Sequence, residues 1–198
     1  TRLLLRVLCG ISIEIRGHHN LPGGACIVAS KHQSTLESVT FFRLLKNPVF
    51  TMKAEIARLP LMGYSIRRAG SISIERKAGA AALRKLIKAA QEAFEKDAQV
   101  LIFPEGTRTQ PRTRGKFNPG VAAIYSRCDV PVIPVALNTG SFWARRTLRK
   151  NPGQIIIEFL PPIAPGMDRK PFQQLLQNTI EEATEKLELE SPGPQAGG

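Results

Sequence analysis

The stretch ACIVASKHQSTLES, residues 25–38, is the most informative part of the sequence for the fold. Its first six residues form a short, continuous apolar run, which is typical of a strand buried on both faces. The following segment, STLESVTFFRLLKN (34–47), carries apolar residues at helical spacing, namely Leu36, Val39, Phe42 and Leu45. The stretch therefore predicts a strand and then a helix, with His32 at their junction.

Strand-like and helix-like patterns alternate along the rest of the chain. The predicted strands are ISIEIRG (11–17), ACIVAS (25–30), PVFTMKAE (48–55), SISIERK (71–77), QVLIFPEG (99–106), VPVIPVALN (130–138) and QIIIEFLPPI (154–163). Amphipathic helices are predicted over 34–47, 78–97, about 121–126 and from Phe172 to Leu187, the last with an acidic exposed face. The alternation predicts one α/β domain over 1–190, with a mixed, mostly parallel sheet flanked by helices, and a disordered tail over 191–198.

The charge balance limits the partners of the chain. Its 198 residues carry 28 Lys+Arg against 16 Asp+Glu, and the net charge is +4, +5, +7 and −4 for residues 1–50, 51–100, 101–150 and 151–198. An anionic partner is therefore expected, such as a phospholipid surface, a phosphorylated small molecule or nucleic acid. Aromatic residues are 6% and do not interleave with the basic clusters, which argues against nucleic acid.

The first residues, RLLLRVLCG (2–10), form a short apolar stretch with two arginines. They are expected either to pack on the core as a helix or to lie at a membrane surface. No run of 18 or more apolar residues is found, so the given chain is not expected to span a bilayer. Three cysteines without a close pair suggest free thiols in a reducing compartment.

His32 and Glu37 are the candidate catalytic pair. Five residues apart they cannot meet on one ideal helix, so His32 must precede the helix while Glu37, in its first turn, reaches back. A carboxylate on one ring nitrogen leaves the other as a base that can take a proton from an alcohol. Alternatively, Ser34 and Glu37 form a capping box that starts the helix. Ser34 as nucleophile is disfavoured because the chain has no G-x-S-x-G.

FPEGTRT (103–109) is the candidate phosphate site, because it follows a buried strand. Gly106 permits an unusual turn, Thr107 offers a hydroxyl and an amide, and Arg108 can pair bidentately with phosphate. The alternative is an ordinary turn with a surface Glu105–Arg108 ion pair. Arg76 and Lys53 repeat the arrangement at two other strand ends. Neither a P-loop nor a metal-ligand pattern is found, and His18 and His19 lack further ligands nearby.

Four blocks in this order resemble the glycerolipid acyltransferase family, most closely its bacterial 1-acyl-sn-glycerol-3-phosphate acyltransferases. They are KHQSTLE (31–37), SISIERK (71–77), FPEGTR (103–108) and VPVIPVALN (130–138). The resemblance implies a glycerol-phosphate acyltransferase-like fold with His32 as general base and Glu37 orienting it. It also implies that Arg76, Glu105, Gly106, Thr107 and Arg108 hold the acceptor's phosphate, and that the Pro134 block contacts the acyl chain or thioester.

The reaction implied is acyl transfer from acyl-CoA or acyl carrier protein to the sn-2 hydroxyl of lysophosphatidate, without a cofactor. Another acceptor, such as glycerol-3-phosphate or another lysolipid, and a non-catalytic basic membrane-binding module remain alternatives. The resemblance places the protein at the cytoplasmic face of the bacterial inner membrane, bound peripherally or through a missing N-terminal segment. Glu37 stands where the family usually has aspartate. Candidate oxyanion donors are backbone amides near His32 or Gly106.

Overall fold

The computed structural model describes residues 2–54, 71–74, 79–145, 147 and 150–193. Arg76 and residues 194–198 of the predicted tail lie outside these ranges, and of Lys53 the backbone alone is described. The strands are β1 (Ile11–Arg16), β2 (Cys26–Ser30), β3 (Pro48–Lys53), β4 (Ile72–Ile74), β5 (Gln99–Ile102), β6 (Val132–Leu137) and β7 (Gly153–Phe159). The helices are α1 (Arg2–Cys9), α2 (Leu36–Leu44), α3 (Gly79–Phe94), α4 (Gly120–Tyr125), α5 (Thr139–Phe142) and α6 (Arg169–Glu190).

The strands form a seven-stranded mixed sheet in the order β1-β7-β6-β2-β5-β3-β4. All neighbouring strands are parallel except β6 and β7, which are antiparallel. The carboxyl ends of β6, β2, β5, β3 and β4 consequently share one edge of the sheet, whereas β1 and β7 end at the opposite edge. This confirms the α/β fold with a mixed, mostly parallel sheet.

Helices cover both faces of the sheet, as the apolar run of β2 predicts. Ile27 and Ala29 belong to a core cluster shared with α3, α4 and α6. Cys26 and Val28 point to the other face, into a cluster shared with α2 and α5. Since alternate residues of one strand are buried on opposite faces, the protein has three layers with β2 at the centre.

The buried face of α2 differs from the predicted one. Val39 and Phe42, which were expected to pack inward, are each 53% exposed. Apolar residues three apart shift by about 60° per step around a helix, so the predicted stripe spirals off one face. The buried residues are Leu36, Glu37, Thr40 and Phe41.

The two ends of the described chain can be compared with the expectations for residues 2–10 and for the tail from residue 191. Helix α1 packs Leu5 and Cys9 against the core, yet Leu4, Val7 and Leu8 are 61–75% exposed. At the other end, Ser191 donates a hydrogen bond to the Gln154 carbonyl oxygen at 2.9 Å, so the chain is still held where the disordered tail was predicted to begin.

Candidate active site

Three neighbouring strands supply the polar side chains of the site at their carboxyl ends. In the order β6-β2-β5, the strands are followed by Thr139, His32 and Glu105. The carboxyl edge of a parallel sheet is where α/β proteins bind their ligands, at the point where the chain leaves neighbouring strands towards opposite faces. Here the chain leaves β2 into α2 and the neighbouring β5 into α4, on opposite faces of the sheet. The sheet order therefore brings together residues that are up to 107 positions apart, as in the Gln33–Gly140 contact.

His32 and Glu37 form the predicted pair. His32 precedes α2, and its Nδ1 lies 2.9 Å from Glu37 Oε1, with Glu37 in the first turn of the helix. A carboxylate only accepts, so Nδ1 carries the hydrogen and Nε2 is left as the basic nitrogen. The His32 side chain is 14% exposed, whereas that of Glu37 is fully buried.

Glu37 also starts the helix, so the two interpretations of this residue hold together. Its Oε1 accepts the backbone N–H groups of Gln33 and Ser34, each at 2.7 Å. The Ser34 contact is the carboxylate half of the predicted capping box. The other half differs, because the Ser34 hydroxyl accepts from Leu36 N at 3.2 Å and Thr35 occupies the cap position. Thr139 Oγ1 donates to Oε2 at 2.9 Å, which gives the carboxylate a fourth donor.

Both the ring and the backbone of His32 are fixed from outside α2. The imidazole stacks on Phe103 with centroids 3.9 Å apart. Its backbone N–H donates to Glu105 Oε2 at 2.9 Å, and its carbonyl oxygen accepts from Thr109 N at 2.8 Å. The FPEGTRT segment is thus bonded directly to the backbone of the candidate base.

Glu105 has a different role from the predicted one. Its side chain is 1% exposed, and Oε1 lies 2.7 Å from Lys31 Nζ and 3.1 Å from Thr109 Oγ1. Oε2 receives the His32 N–H, so both oxygens are occupied inside the protein. This corrects the assignment of the Glu105 side chain to phosphate binding and excludes the alternative of a surface pair with Arg108.

The partner of Glu105 is a fully buried lysine. Lys31 Nζ contacts both oxygens of Glu181, at 2.9 and 2.8 Å, and the Thr113 carbonyl oxygen at 3.1 Å. Burial raises the pKa of the Glu105 carboxyl above its usual value, and the Lys31 ammonium opposes that shift. The one ammonium is shared by two carboxylates, so its removal would leave both without a buried cation.

The rest of FPEGTRT forms a turn closed at Gly106, with Thr107 and Arg108 accessible to solvent beyond it. Gly106 has φ of 67°, in the left-handed region that favours glycine, and its N–H donates to the Phe103 carbonyl oxygen at 2.9 Å. Thr107 is exposed and Arg108 is half-buried. Within the described ranges, no carboxylate forms an ion pair with Arg108. Its guanidinium is thus a candidate for an external anion.

The other predicted basic residues follow strands that end at the same edge. Lys53 is the last residue of β3, which lies two strands from β2, or about 10 Å across the sheet. Arg76 lies beyond β4, outside the described residues. Pro134 is buried within β6 opposite Ala29. Thr139, directly after the block 130–138, lies in the site. The predicted contact of this block with the acyl chain or thioester stays a prediction.

Sequence reasoning missed five residues that support the site: Lys31, Gln33, Thr139, Glu181 and Glu188. Glu181 and Glu188 are 2% and 4% exposed, which corrects the expectation that the acidic residues of α6 all face solvent. Their spacing of seven places them about 20° apart on α6. They lie together at the border of the apolar stripe of the helix, and this position was the available signal that both carboxylates are buried.

The described residues hold no group of three or more His, Cys, Asp or Glu side chains arranged for a metal ion. His18 contacts the Leu44 carbonyl oxygen at 3.2 Å and the Phe159 ring edge. Among the described helices, none has the length and apolar character needed to cross a bilayer.

Comparisons with known proteins agree with this geometry. The model of the acyltransferase family matches residues 12–138. A 1-acyl-sn-glycerol-3-phosphate acyltransferase of Pseudomonas aeruginosa is 34% identical over 190 residues, which is 96% of this chain and 74% of that protein. The human 1-acyl-sn-glycerol-3-phosphate acyltransferase alpha is 30% identical over 164 residues, covering 81% of this chain and 58% of the human protein.

The crystal structure of the 1-acyl-sn-glycerophosphate acyltransferase from Thermotoga maritima has the same fold, with a TM-score of 0.76 at 21% identity. The match covers 92% of this chain and 74% of the Thermotoga chain. Fold and site thus define an α/β enzyme with a carboxylate-bound histidine at the strand ends. The chain belongs to the acyltransferase family, whose members named above are O-acyltransferases.

Proposed function

We propose that this protein transfers an acyl group from acyl-CoA or acyl carrier protein to the sn-2 hydroxyl of 1-acyl-sn-glycerol-3-phosphate, forming phosphatidic acid. The observation that carries the proposal is the 2.9 Å His32–Glu37 contact beside a segment that presents Arg108. The acceptor is chosen because the relatives from Pseudomonas aeruginosa and human are named for it.

In the proposed mechanism, His32 Nε2 removes the proton of the acceptor hydroxyl while that oxygen attacks the thioester carbonyl. The resulting tetrahedral intermediate expels the thiolate, which takes the proton back from the imidazolium and leaves as the free thiol. Glu37 holds the Nδ1 hydrogen and stabilises the imidazolium during both steps. General-base assistance of this kind contributes about 10²–10⁴-fold to the rate.

The acceptor's phosphate is assigned to the basic strand ends. Arg108 offers a planar fork for two phosphate oxygens, and Thr107 is exposed beside it. The Thr109 N–H bonds the His32 carbonyl at 2.8 Å, so an anion held by Arg108 would be fixed relative to the base. The proposed phosphate-binding group also includes Lys53, Gly106 and Arg76. The Glu105 side chain is instead proposed to support Lys31 and the His32 backbone.

Four of the backbone amides near His32 and Gly106 that were considered as oxyanion donors are already bonded within the protein. The N–H of His32 donates to Glu105, and those of Gln33 and Ser34 donate to Glu37. The Gly106 N–H donates to the Phe103 carbonyl oxygen. Because each of these amides already has an acceptor within the protein, none is a ready donor to the tetrahedral intermediate.

The reaction is placed at the cytoplasmic surface of an anionic membrane, where lysophosphatidate resides, and it needs no cofactor. Helix α1 supports this placement, because Leu4, Val7 and Leu8 are exposed next to the exposed Arg6. An apolar helix face with a nearby cation is suited to the headgroup region of anionic lipid.

The test measures thiol release from acyl-CoA, and phosphopantetheine-thiol release from acyl carrier protein, with a panel of acceptors. Lysophosphatidate should support turnover, whereas glycerol-3-phosphate and lysophosphatidylcholine should not. His32→Ala should lower kcat by about 10³-fold with the fold unchanged by circular dichroism. His19→Ala, at an exposed histidine of the opposite sheet edge, is the matched control. Normal turnover by His32→Ala would remove the imidazole from the chemistry, and a different preferred acceptor would replace lysophosphatidate in the proposal.

A further inference from the structure

Helix α6 carries two buried carboxylates that no catalytic step uses. Glu181 and Glu188 are 2% and 4% exposed and seven residues apart, so they lie on one face about 10 Å from each other. Both lie beyond residues 12–138, the part of the chain that the family model matches. Carboxylates are rarely buried without a specific set of donors, so the partners of these two are informative.

Glu188 connects the residue after His32 with the segment that follows Arg108. Its Oε1 accepts from Gln33 Nε2 at 2.8 Å, and its Oε2 accepts from the Arg112 backbone N–H at 2.9 Å. Gln33 is held on its other side as well, because its Oε1 accepts from Gly140 N at 3.0 Å. The Gln33 side chain therefore has one fixed orientation between α5 and α6.

Glu181 makes the corresponding connection from the residue before His32. It accepts two contacts from Lys31 Nζ, at 2.9 and 2.8 Å, and the Gly115 N–H at 3.0 Å. A Cβ at Gly115 would lie 2.7 Å from Glu105 Oε1, so the backbone there approaches the buried cluster closely. Each α6 carboxylate thus joins a neighbour of His32 to a backbone N–H of residues 112–115.

We propose that Glu181 and Glu188 are positioning residues of acyl transfer, which fix the His32 segment in register with the Arg108 segment. The inference rests on the proposed function, in which one segment carries the base and the other the phosphate site. Residues 31–35 and 107–118 lack regular secondary structure. The Thr109 N–H bond to the His32 carbonyl oxygen joins the two segments through their backbones, and the Glu181 and Glu188 side chains join them on either side of His32. A displacement of about 1 Å between reacting groups can lower a rate by roughly 10²-fold.

Glu188 can be tested by exchanging its chemical group with that of Gln33. In Glu188→Gln, the new amide can accept from Arg112 N, but its N–H₂ then meets the Gln33 N–H₂, and two donors oppose each other. In Gln33→Glu, two carboxylates oppose each other instead. The double variant, Gln33→Glu with Glu188→Gln, removes both conflicts. The glutamine now at position 188 accepts from Arg112 N and donates to the carboxylate now at position 33, which also accepts from Gly140 N.

We expect each single variant to lower kcat by at least about 10-fold, and the double variant to return kcat to within about 3-fold of wild type. Rates are expressed per folded protein, and KM is measured for both substrates together with the melting temperature. Glu185→Gln is the matched control on the same helix, since Glu185 is 45% exposed and pairs with Arg114 at the surface. Its kcat should stay within about 2-fold of wild type.

A structural role alone predicts a different result, in which the single variants melt earlier while kcat per folded protein is unchanged. That result overturns the inference, as does a double variant that recovers its melting temperature but not its kcat. If Glu188→Gln does not fold, Glu181→Gln replaces it, because Lys31 keeps Glu105 as a partner. Unchanged kcat in folded Glu181→Gln also overturns the inference, and a 10-fold loss supports it.

The wild-type protein separates this inference from the function on which it depends. If the wild type transfers acyl groups to none of the acceptors, both the proposed function and the inference fail. If the wild type is active and the Glu188 and Glu181 variants are equally active, the inference alone fails.

Discussion

Glu37→Gln separates the charge of the carboxylate from its geometry. The glutamine oxygen can accept the three bonds now made to Oε1, from His32 Nδ1 and the N–H groups of Gln33 and Ser34. Its amide nitrogen replaces Oε2 and can donate to Thr139 Oγ1, because a hydroxyl accepts as well as donates. The substitution therefore keeps every hydrogen bond and removes one negative charge.

The expected loss follows from the attraction between Glu37 and the imidazolium formed during the reaction. Two unit charges about 4 Å apart attract by about 4 kcal/mol at an effective dielectric constant near 20. Each 1.4 kcal/mol or so corresponds to a tenfold change in rate, so kcat should fall by about 10³-fold. The free energy of unfolding should fall by only about 1–2 kcal/mol, since charged hydrogen bonds become neutral ones.

The assay is steady-state thiol release at saturating concentrations of both substrates, with urea denaturation of the same samples. Thr139→Val is the control, because it removes the donor to Oε2 and keeps the charge. Its kcat should fall only a few-fold, while an unsatisfied buried oxygen should cost about 1–3 kcal/mol of stability. If Glu37→Gln instead unfolds easily and keeps its kcat, Glu37 serves helix capping rather than catalysis.

Three other outcomes follow from the same structure. Arg108→Ala should raise the KM for lysophosphatidate at least 10-fold more than the KM for the acyl donor. The control is Arg127→Ala, at an exposed arginine of the other sheet edge, which should raise neither KM. Equal effects of Arg108→Ala on both substrates would contradict phosphate binding. Lys31→Met should lower the free energy of unfolding by about 3–5 kcal/mol in urea titrations, because two buried carboxylates lose their cation. A loss below about 1 kcal/mol would show that the carboxyl groups of Glu105 and Glu181 are neutral. Burial raises the pKa of the Cys26 thiol to about 12. A thiol reagent at pH 8 should therefore label Cys26 only as fast as the protein unfolds. Labelling of the native protein within seconds would refute this prediction.

The fold and the contact between His32 and Glu37 were predictable because their signals are local. The apolar run of β2 and the alternation of β1 each reflect one strand, and both strands are found within a residue of their predicted bounds. His32 and Glu37 are five residues apart, and a helix that starts after His32 allows Glu37 in its first turn to reach back to the imidazole, as it does at 2.9 Å. The shared edge of the sheet then follows from the strand order.

The support of the site was not predictable, because it depends on contacts across long stretches of chain. Lys31 and Glu181 are 150 residues apart, and the contact exists only once α6 packs against β6, the strand next to β2. The Lys31–Glu105 contact was missed although both residues were in view, because neither the resemblance, which implied phosphate binding for Glu105, nor a surface pair with Arg108 indicates a buried lysine partner. On α2 the prediction holds for Leu36 and Leu45, which are buried, and is wrong for Val39 and Phe42, because apolar residues three apart do not stay on one face of a helix.

Among the described strands, β6 and β7 are the one antiparallel pair, so β1 and β7 end at the edge of the sheet opposite to the ends of the other five strands. The turns that follow β1 and β7, near His18 and Leu160, point away from the reacting groups. A dye or a tether to a solid support attached at that edge would leave the edge that carries His32 open, so the enzyme could be immobilised without covering the candidate active site.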